Sequence, residues 1–171
     1  MMIEEYAQVH GENHEKFSTL NKIFQEVLVP LYGPQENALS LIKAAKDRIC
    51  FLQFVNDSAV GVLVFKTTTS DEYADLGIKN SIEIKSLFLY DPAKNSGLGY
   101  ASNLLKKLFR ELEMRQIAYS GIHVTVSADV PDSLAFFLKK GFFEVHRWKG
   151  RYIPDVDEIL LYYQPLSVVS P

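Results

Sequence analysis

Along the chain the hydrophobic positions change period several times, and each change marks an element. From Asn13 to Leu31 the residues Phe17, Leu20, Ile23, Phe24, Val27 and Leu28 recur at three- and four-residue steps. That spacing predicts an amphipathic helix ending at the Tyr32-Gly33-Pro34 break. A shorter helix is expected over Glu36–Lys46. Met2–Val9 alternates weakly and reads as a first strand, and Arg48–Val55 and Ala59–Thr67 read as two more. The turn Asn56-Asp57-Ser58 joins that pair into a hairpin, with Gly61 early in the second arm. Thr68–Lys79 is polar and predicts a loop with room for one helical turn, followed by a strand at Ser81–Leu89.

Past Gly97 the period returns to that of a helix, through Leu98, Ala101, Leu105, Leu108, Phe109 and Leu112. Gly121–Ser127 alternates as a strand does, and Pro131 suits the first turn of a helix through Lys140 that stops at Gly141. Phe142–Trp148 and Glu158–Gln164 close the pattern as strands around the polar loop Lys149–Asp157. The expected order is β-α-α-β-β-β-α-β-α-β-β. A frayed, disordered tail is expected at Ser167–Pro171.

Composition narrows the class. The 171 residues suit a single domain over residues 1–166, and 47% hydrophobic with 12% aromatic residues suits a packed core. A net charge of −3 argues against a general polyanion-binding surface, so nucleic acid is not an expected partner, although a local basic patch stays open. The single Cys50 excludes an internal disulfide, and its apolar run Ile49-Cys50-Phe51-Leu52 predicts a buried structural thiol. His10, His14, His123 and His146 lack metal-ligand spacing, so no metal is expected. The start MMIEEYAQVHGE has no apolar core of a leader and no apolar run is long enough to span a bilayer, so a soluble, cytoplasmic protein without a membrane partner is expected.

Ser81 to Arg115 carries the chemistry. A strand breaks at Asp91-Pro92, passes through Lys94-Asn95-Ser96-Gly97-Leu98-Gly99, and becomes a helix. Helix N-termini have unpaired N–H groups and the positive end of the macrodipole, and glycines permit positive φ, so these are the parts of an anion cradle. The P-loop pattern fails because no Gly-Lys follows at its spacing. The dinucleotide pattern would put its third glycine at Ser102 and belongs after the first strand of a parallel sheet, whereas this turn lies past the midpoint. The pattern [QR]-x-x-G-x-[GA] fits, with Lys94 in its first place. The stretch resembles the GNAT superfamily of acyl-CoA-dependent N-acetyltransferases. A second match supports it: Ser133-Leu134-Ala135-Phe136-Phe137-Leu138-Lys139-Lys140-Gly141-Phe142 resembles the family's later helix, N-x-x-A-x-x-F-Y-x-K-x-G-F.

The resemblance spans Met2 to Leu166 and implies an α/β fold of the α+β kind. Its sheet would be mixed, mostly antiparallel and six- to seven-stranded, splayed at the centre and flanked by about four helices. It implies acetyl-CoA as co-substrate and an acetyl group passed to a primary amine by direct attack. The diphosphate would lie on N–H groups of Asn95, Ser96, Gly97, Leu98, Gly99 and Tyr100, with Lys94 adding a point charge. Pantetheine would pair with the backbone of Leu87, Phe88 and Leu89, with an N–H near Leu89 facing the oxyanion. Ser133 joins the cofactor-binding set.

Glu83 is the candidate general base, since it falls where several family members carry a catalytic Glu. Part-burial would raise its pKa, as a base near neutral pH requires. The competing reading is an exposed strand Glu paired with Lys85 or Lys66. Phe137 departs from the family, standing where a Tyr commonly protonates the leaving thiolate; Val130 and Ser133 also replace the usual Asn and Ala. Ser133, Tyr152 and Tyr162 are the candidate substitutes. His123 alternates to the face of Thr125 and Ser127, and its role as a base ranks well below its reading as a core or surface histidine. His146, Arg147, Trp148 and Lys149-Gly150-Arg151-Tyr152 form a basic-aromatic cluster that could line an acceptor site, contact RNA, or simply tip a solvated hairpin.

Two functions therefore stand: an active N-acetyltransferase, or a non-catalytic acyl-CoA-binding domain that has lost its acid at Phe137. The acceptor would be read by Phe17–Lys46, Thr68–Asn80 and Lys149–Asp157, whose mixed charge admits a small molecule, a peptide or an aminoacyl-tRNA. A homodimer through the last strand or first helix would be ordinary.

Overall fold

The computed structural model describes residues 1–11 and 13–166. The tail expected at Ser167–Pro171 lies outside the described residues. Seven strands form one sheet, in the order β1-β2-β3-β4-β5-β7-β6. They are β1 (Glu4–Gln8), β2 (Ile49–Val55), β3 (Ser58–Lys66), β4 (Ser81–Leu89), β5 (Gly121–Ser127), β6 (Phe143–Lys149) and β7 (Asp157–Tyr163). Ladders β1–β2, β2–β3, β5–β7 and β6–β7 are antiparallel, and β4–β5 is parallel. Among the described residues four helices have eight residues or more: α1 (His14–Val27), α3 (Glu36–Lys43), α6 (Tyr100–Met114) and α7 (Pro131–Lys139). Three single turns, α2 (Val29–Tyr32), α4 (Asp71–Ala74) and α5 (Pro92–Asn95), complete the order. By internal contacts the chain divides into two compact units.

The first unit comprises Met1–Lys66 and Lys85–Ile117. Its core joins Leu20, Ile23, Phe24 and Leu28 of the first helical stretch to Leu39 and Ile42 of α3 and to Cys50, Leu52, Val62 and Val64 of the hairpin. The long helix expected to Leu31 is interrupted at Leu28, because Pro30 has no N–H to donate to the preceding turn. The hairpin turns at Asn56 (φ 47°) and Asp57 (φ 63°), the two left-handed residues of a type I′ turn. Opposite Gln53 the chain needs a glycine: a Cβ on Gly61 would stand 2.6 Å from Gln53 Oε1 and 2.8 Å from Leu104 Cδ1. On α6 the buried face is Tyr100, Leu104, Leu105, Leu108, Glu111 and Leu112. Leu98, expected on that face, is instead 58% exposed in the turn before the helix.

The second unit comprises Thr67–Ile84 and the chain from Ala118 on. Ser81–Ile84 pairs with Gly121–Val124, so the β4–β5 ladder covers the first part of β4. Tyr73, Ile78 and Leu160 pack with Leu76, Trp148 and Tyr162. The helical turn that the polar loop had room for is α4, and it buries Tyr73.

Candidate functional site

In the first unit the glycine turn feeds directly into α6. Asn95 is buried, and its side-chain amide donates to Tyr90 O at 2.5 Å, tying down the start of the turn. The N–H groups of Asn95 and Ser96 donate to Asp91 O (3.0 Å) and Pro92 O (2.9 Å). These two amides are therefore already engaged, and the open run begins at Gly97. Gly97 (φ +76°) and Gly99 (φ +84°) both lie in the left-handed region, where a side chain is strained. Among the described residues no atom beyond the chain neighbours stands within 4 Å of a Cβ built on either, so φ rather than crowding demands glycine. Gly99 is the N-cap of α6 with no side-chain cap, which leaves the first-turn amides facing outward.

Tyr100 fixes where those amides point. Its ring is buried against Val55, Val60 and Leu89, and its carbonyl accepts from Gln53 Nε2 at 3.2 Å. Ser96, Leu98 and Lys94 are exposed around the turn, and Leu87, Phe88 and Leu89 are half-buried on β4. The cradle as built thus consists of the Gly97–Gly99 backbone, the first turn of α6 and the Lys94 ammonium. It can hold a diphosphate by N–H donation and the helix dipole.

In the second unit Glu83 lies at 4% exposure, so the reading of it as a solvent-facing strand residue is overturned. In the first unit, Lys66 Nζ sits 3.7 Å from Asp47 Oδ2. Both faces of Ser81–Ile84 are buried, and the parallel register sets Glu83 beside His123. His123 Nε2 is 3.9 Å from Glu83 Oε2, and its Nδ1 is 2.8 Å from Ser81 Oγ. Ser81 Oγ also donates to Gly121 O at 3.0 Å, so the direction of the Ser81–His123 bond follows the imidazole tautomer. Tyr73 Oη donates to Glu83 Oε1 over a long 3.5 Å, and the Tyr73 ring stands 4.5 Å from the His123 ring. Burial, reinforced by the Glu83 charge, pushes the Tyr73 hydroxyl well above the usual tyrosine range, so it stays protonated as a donor.

Sequence reasoning did not connect Tyr73 or Ser81 to Glu83, and His123, read as a core or surface histidine, is fully buried. Only the β4–β5 register brings the three to Glu83. Of the substitutes for the missing acid, Ser133 is half-buried in the first turn of α7, Tyr152 is 56% exposed, and Tyr162 donates to Ser120 O at 3.3 Å. Phe137 itself is buried between Phe136 and Phe142, each ring centroid 5.1 Å away. Glu83 and Ser133 belong to the second unit, and Leu87 to Tyr100 belong to the first.

No protein-family model matches the chain, and no curated protein matches it. Solved structures do. NAA60 of Arabidopsis thaliana in complex with a bisubstrate analogue is similar at TM-score 0.75 and 15% identity, over 95% of this chain and 98% of that one. The ribosomal-protein-S18-alanine N-acetyltransferase of Escherichia coli is similar at TM-score 0.72 and 13% identity, over 99% and 100%. A Desulfovibrio desulfuricans protein assigned to the GNAT family of acetyltransferases is similar at TM-score 0.72 and 11% identity, over 96% and 99%. At such identities the likeness is one of fold, and the fold of this chain is that of the GNAT acetyltransferases.

Proposed function

We propose that this chain is a cytoplasmic N-acetyltransferase that transfers acetyl from acetyl-CoA to a primary amine by direct attack in a ternary complex. The observation that carries this reading is the uncapped start of α6 behind two left-handed glycines, a cradle suited to a diphosphate. Likeness of fold to NAA60, also solved with acetyl-CoA, supports it.

In this reading Lys94 and the amides from Gly97 on hold the diphosphate, Ser133 belongs to the same binding set, and the backbone of Leu87–Leu89 pairs with pantetheine. An N–H near Leu89 faces the developing oxyanion. The neutral amine attacks, and Glu83 takes the proton that its nitrogen sheds as the N–C bond forms and the C–S bond breaks. Tyr73 and His123 hold that carboxylate in place. Phe137 offers no proton, so the departing sulfur draws one from water.

A second reading is favoured by Phe137, packed among rings where an acid would act: an acyl-CoA-binding domain without catalysis. Thiol release from acetyl-CoA, measured with a panel of small amines, aminoacyl-tRNA and alanine-terminated peptides, separates the two. The peptides are chosen because the similar Escherichia coli protein acts on ribosomal-protein-S18 alanine. Amine-dependent release supports transfer; acetyl-CoA binding without release under any acceptor supports the second reading.

A further inference from the structure

The hairpin tip between β6 and β7 folds back onto its own unit. It closes through Gly150 N–H donating to Val156 O at 3.0 Å, and it carries Arg151 inward, leaving that side chain 15% exposed. The guanidinium carbon stands 4.0 Å from the Trp148 ring centroid, 4.9 Å from Tyr152 and 5.8 Å from Tyr73. Nη2 donates to Glu72 Oε2 at 2.8 Å. Three aromatic faces and a carboxylate around one positive charge are the parts of an organic-cation site. Tyr73 and Glu72 belong to α4 and Trp148 to β6, so most of the walls come from outside the loop that supplies the occupant.

The occupant fits imperfectly. Arg151 Nη1 is buried with no hydrogen-bond partner among the described residues, a donor stripped of water without return. A cation with fewer donors, or one bringing its own acceptor, would lose less on entering. The Tyr73 wall also reaches the buried cluster, since its hydroxyl contacts Glu83 and its ring contacts His123.

We propose that Tyr73, Trp148, Tyr152 and Glu72 form a binding site for an organic cation, an alkylammonium or guanidinium group of the acceptor, and that Arg151 is its tethered, displaceable occupant. The acceptor part of this assignment rests on the proposed transfer reaction; the cation site itself does not. A tether holds its ligand at an effective concentration on the order of millimolar, so the chain's own arginine must weaken entry of a free cation.

Trp148 is the only tryptophan in the chain, so its fluorescence reports the site. Arg151→Ala and Arg151→Met, the latter keeping the apolar stem, are checked for folding by circular dichroism. Each is then titrated with methylguanidinium and n-butylammonium chloride at constant ionic strength, against sodium chloride. The expected result is a saturable change in a folded variant, with a midpoint about tenfold or more below that of the wild type. No saturable response in either folded variant, or equal midpoints in variant and wild type, overturns the site. In the transfer assay Arg151→Met should lower KM for amines with a second cationic group relative to neutral analogues; an unchanged ratio overturns the acceptor part. The fluorescence titration uses no acetyl-CoA, so its failure is separable from failure of the transfer reaction.

Discussion

The turn at Gly97–Gly99 is exposed, made of backbone and drawn from consecutive residues, whereas the cluster at Glu83 is buried, made of side chains and drawn from three separate segments. The first works by leaving donors unpaired toward solvent, which costs little there. The second keeps a carboxylate, an imidazole and two hydroxyls out of water, a cost that their facing one another offsets in part. Under the proposed transfer reaction, the open turn would bind the charged co-substrate and the buried cluster would handle the proton, for which a fixed, dry partner set is suited. The same contrast appears in two buried glutamates. Glu111 on α6 meets Lys107 at 2.5 Å and Arg115 at 2.9 Å, and although burial works against its charge, those cations hold its pKa below the usual range. Glu158 on β7 is raised by burial, which the Thr125 hydrogen bond and the Arg151 charge do not overcome.

The largest effect should come from the buried side of the comparison. Glu83→Gln should reduce the transfer rate by about 10²–10⁴-fold with acetyl-CoA affinity retained, and should alter the pH–rate profile. An unaltered profile would leave the cluster with a structural role only. Gly61→Ala strikes the packing beneath the open side, forcing a methyl against Gln53 and Leu104. It should lower stability by about 1–3 kcal/mol in denaturant melts, and a neutral result would show that the Gln53 anchor of Tyr100 can shift freely.

Glu111→Gln should cost about 1 kcal/mol at neutral pH, the difference between charged and neutral hydrogen bonds. Because the folded state keeps Glu111 ionised to lower pH than the unfolded chain does, that contribution is present above the usual carboxylate range. It is lost as pH falls through the depressed folded pKa, so the two melting curves should converge in acid. Glu158→Gln carries the opposite sign and the smallest size, under about 1 kcal/mol. Its wild type prefers the protonated form when folded, so the variant should match it in acid and gain on it as pH rises through and above the usual carboxylate range. A constant gap across pH in either case would remove the electrostatic contrast.

Legibility followed the same division. The strand Ser81–Leu89, the strand Gly121–Ser127 and the Gly97–Gly99 entry to α6 could all be read from local pattern, because period and turn chemistry are local. The break at Leu28 was signalled by Pro30 and passed over, since the apolar period continues across it. Leu98 misled for a related reason: it keeps helical spacing yet lies before the N-cap. Tyr73 could not be found this way, because it sits in a polar segment and reaches Glu83 only once α4 and β4 have folded. His123 was visible, but its partners Ser81 and Glu83 come from pairing across a parallel ladder that no local spacing encodes.

The central claim is that the amides beginning at Gly97 grip a diphosphate, and calorimetric titration of CoA into the wild type and Gly99→Glu tests it most directly. The account predicts saturable binding by the wild type and a loss on the order of 100-fold in a still-folded variant, where a carboxylate meets the anion. No affinity in the wild type, or equal affinity in both, would contradict it.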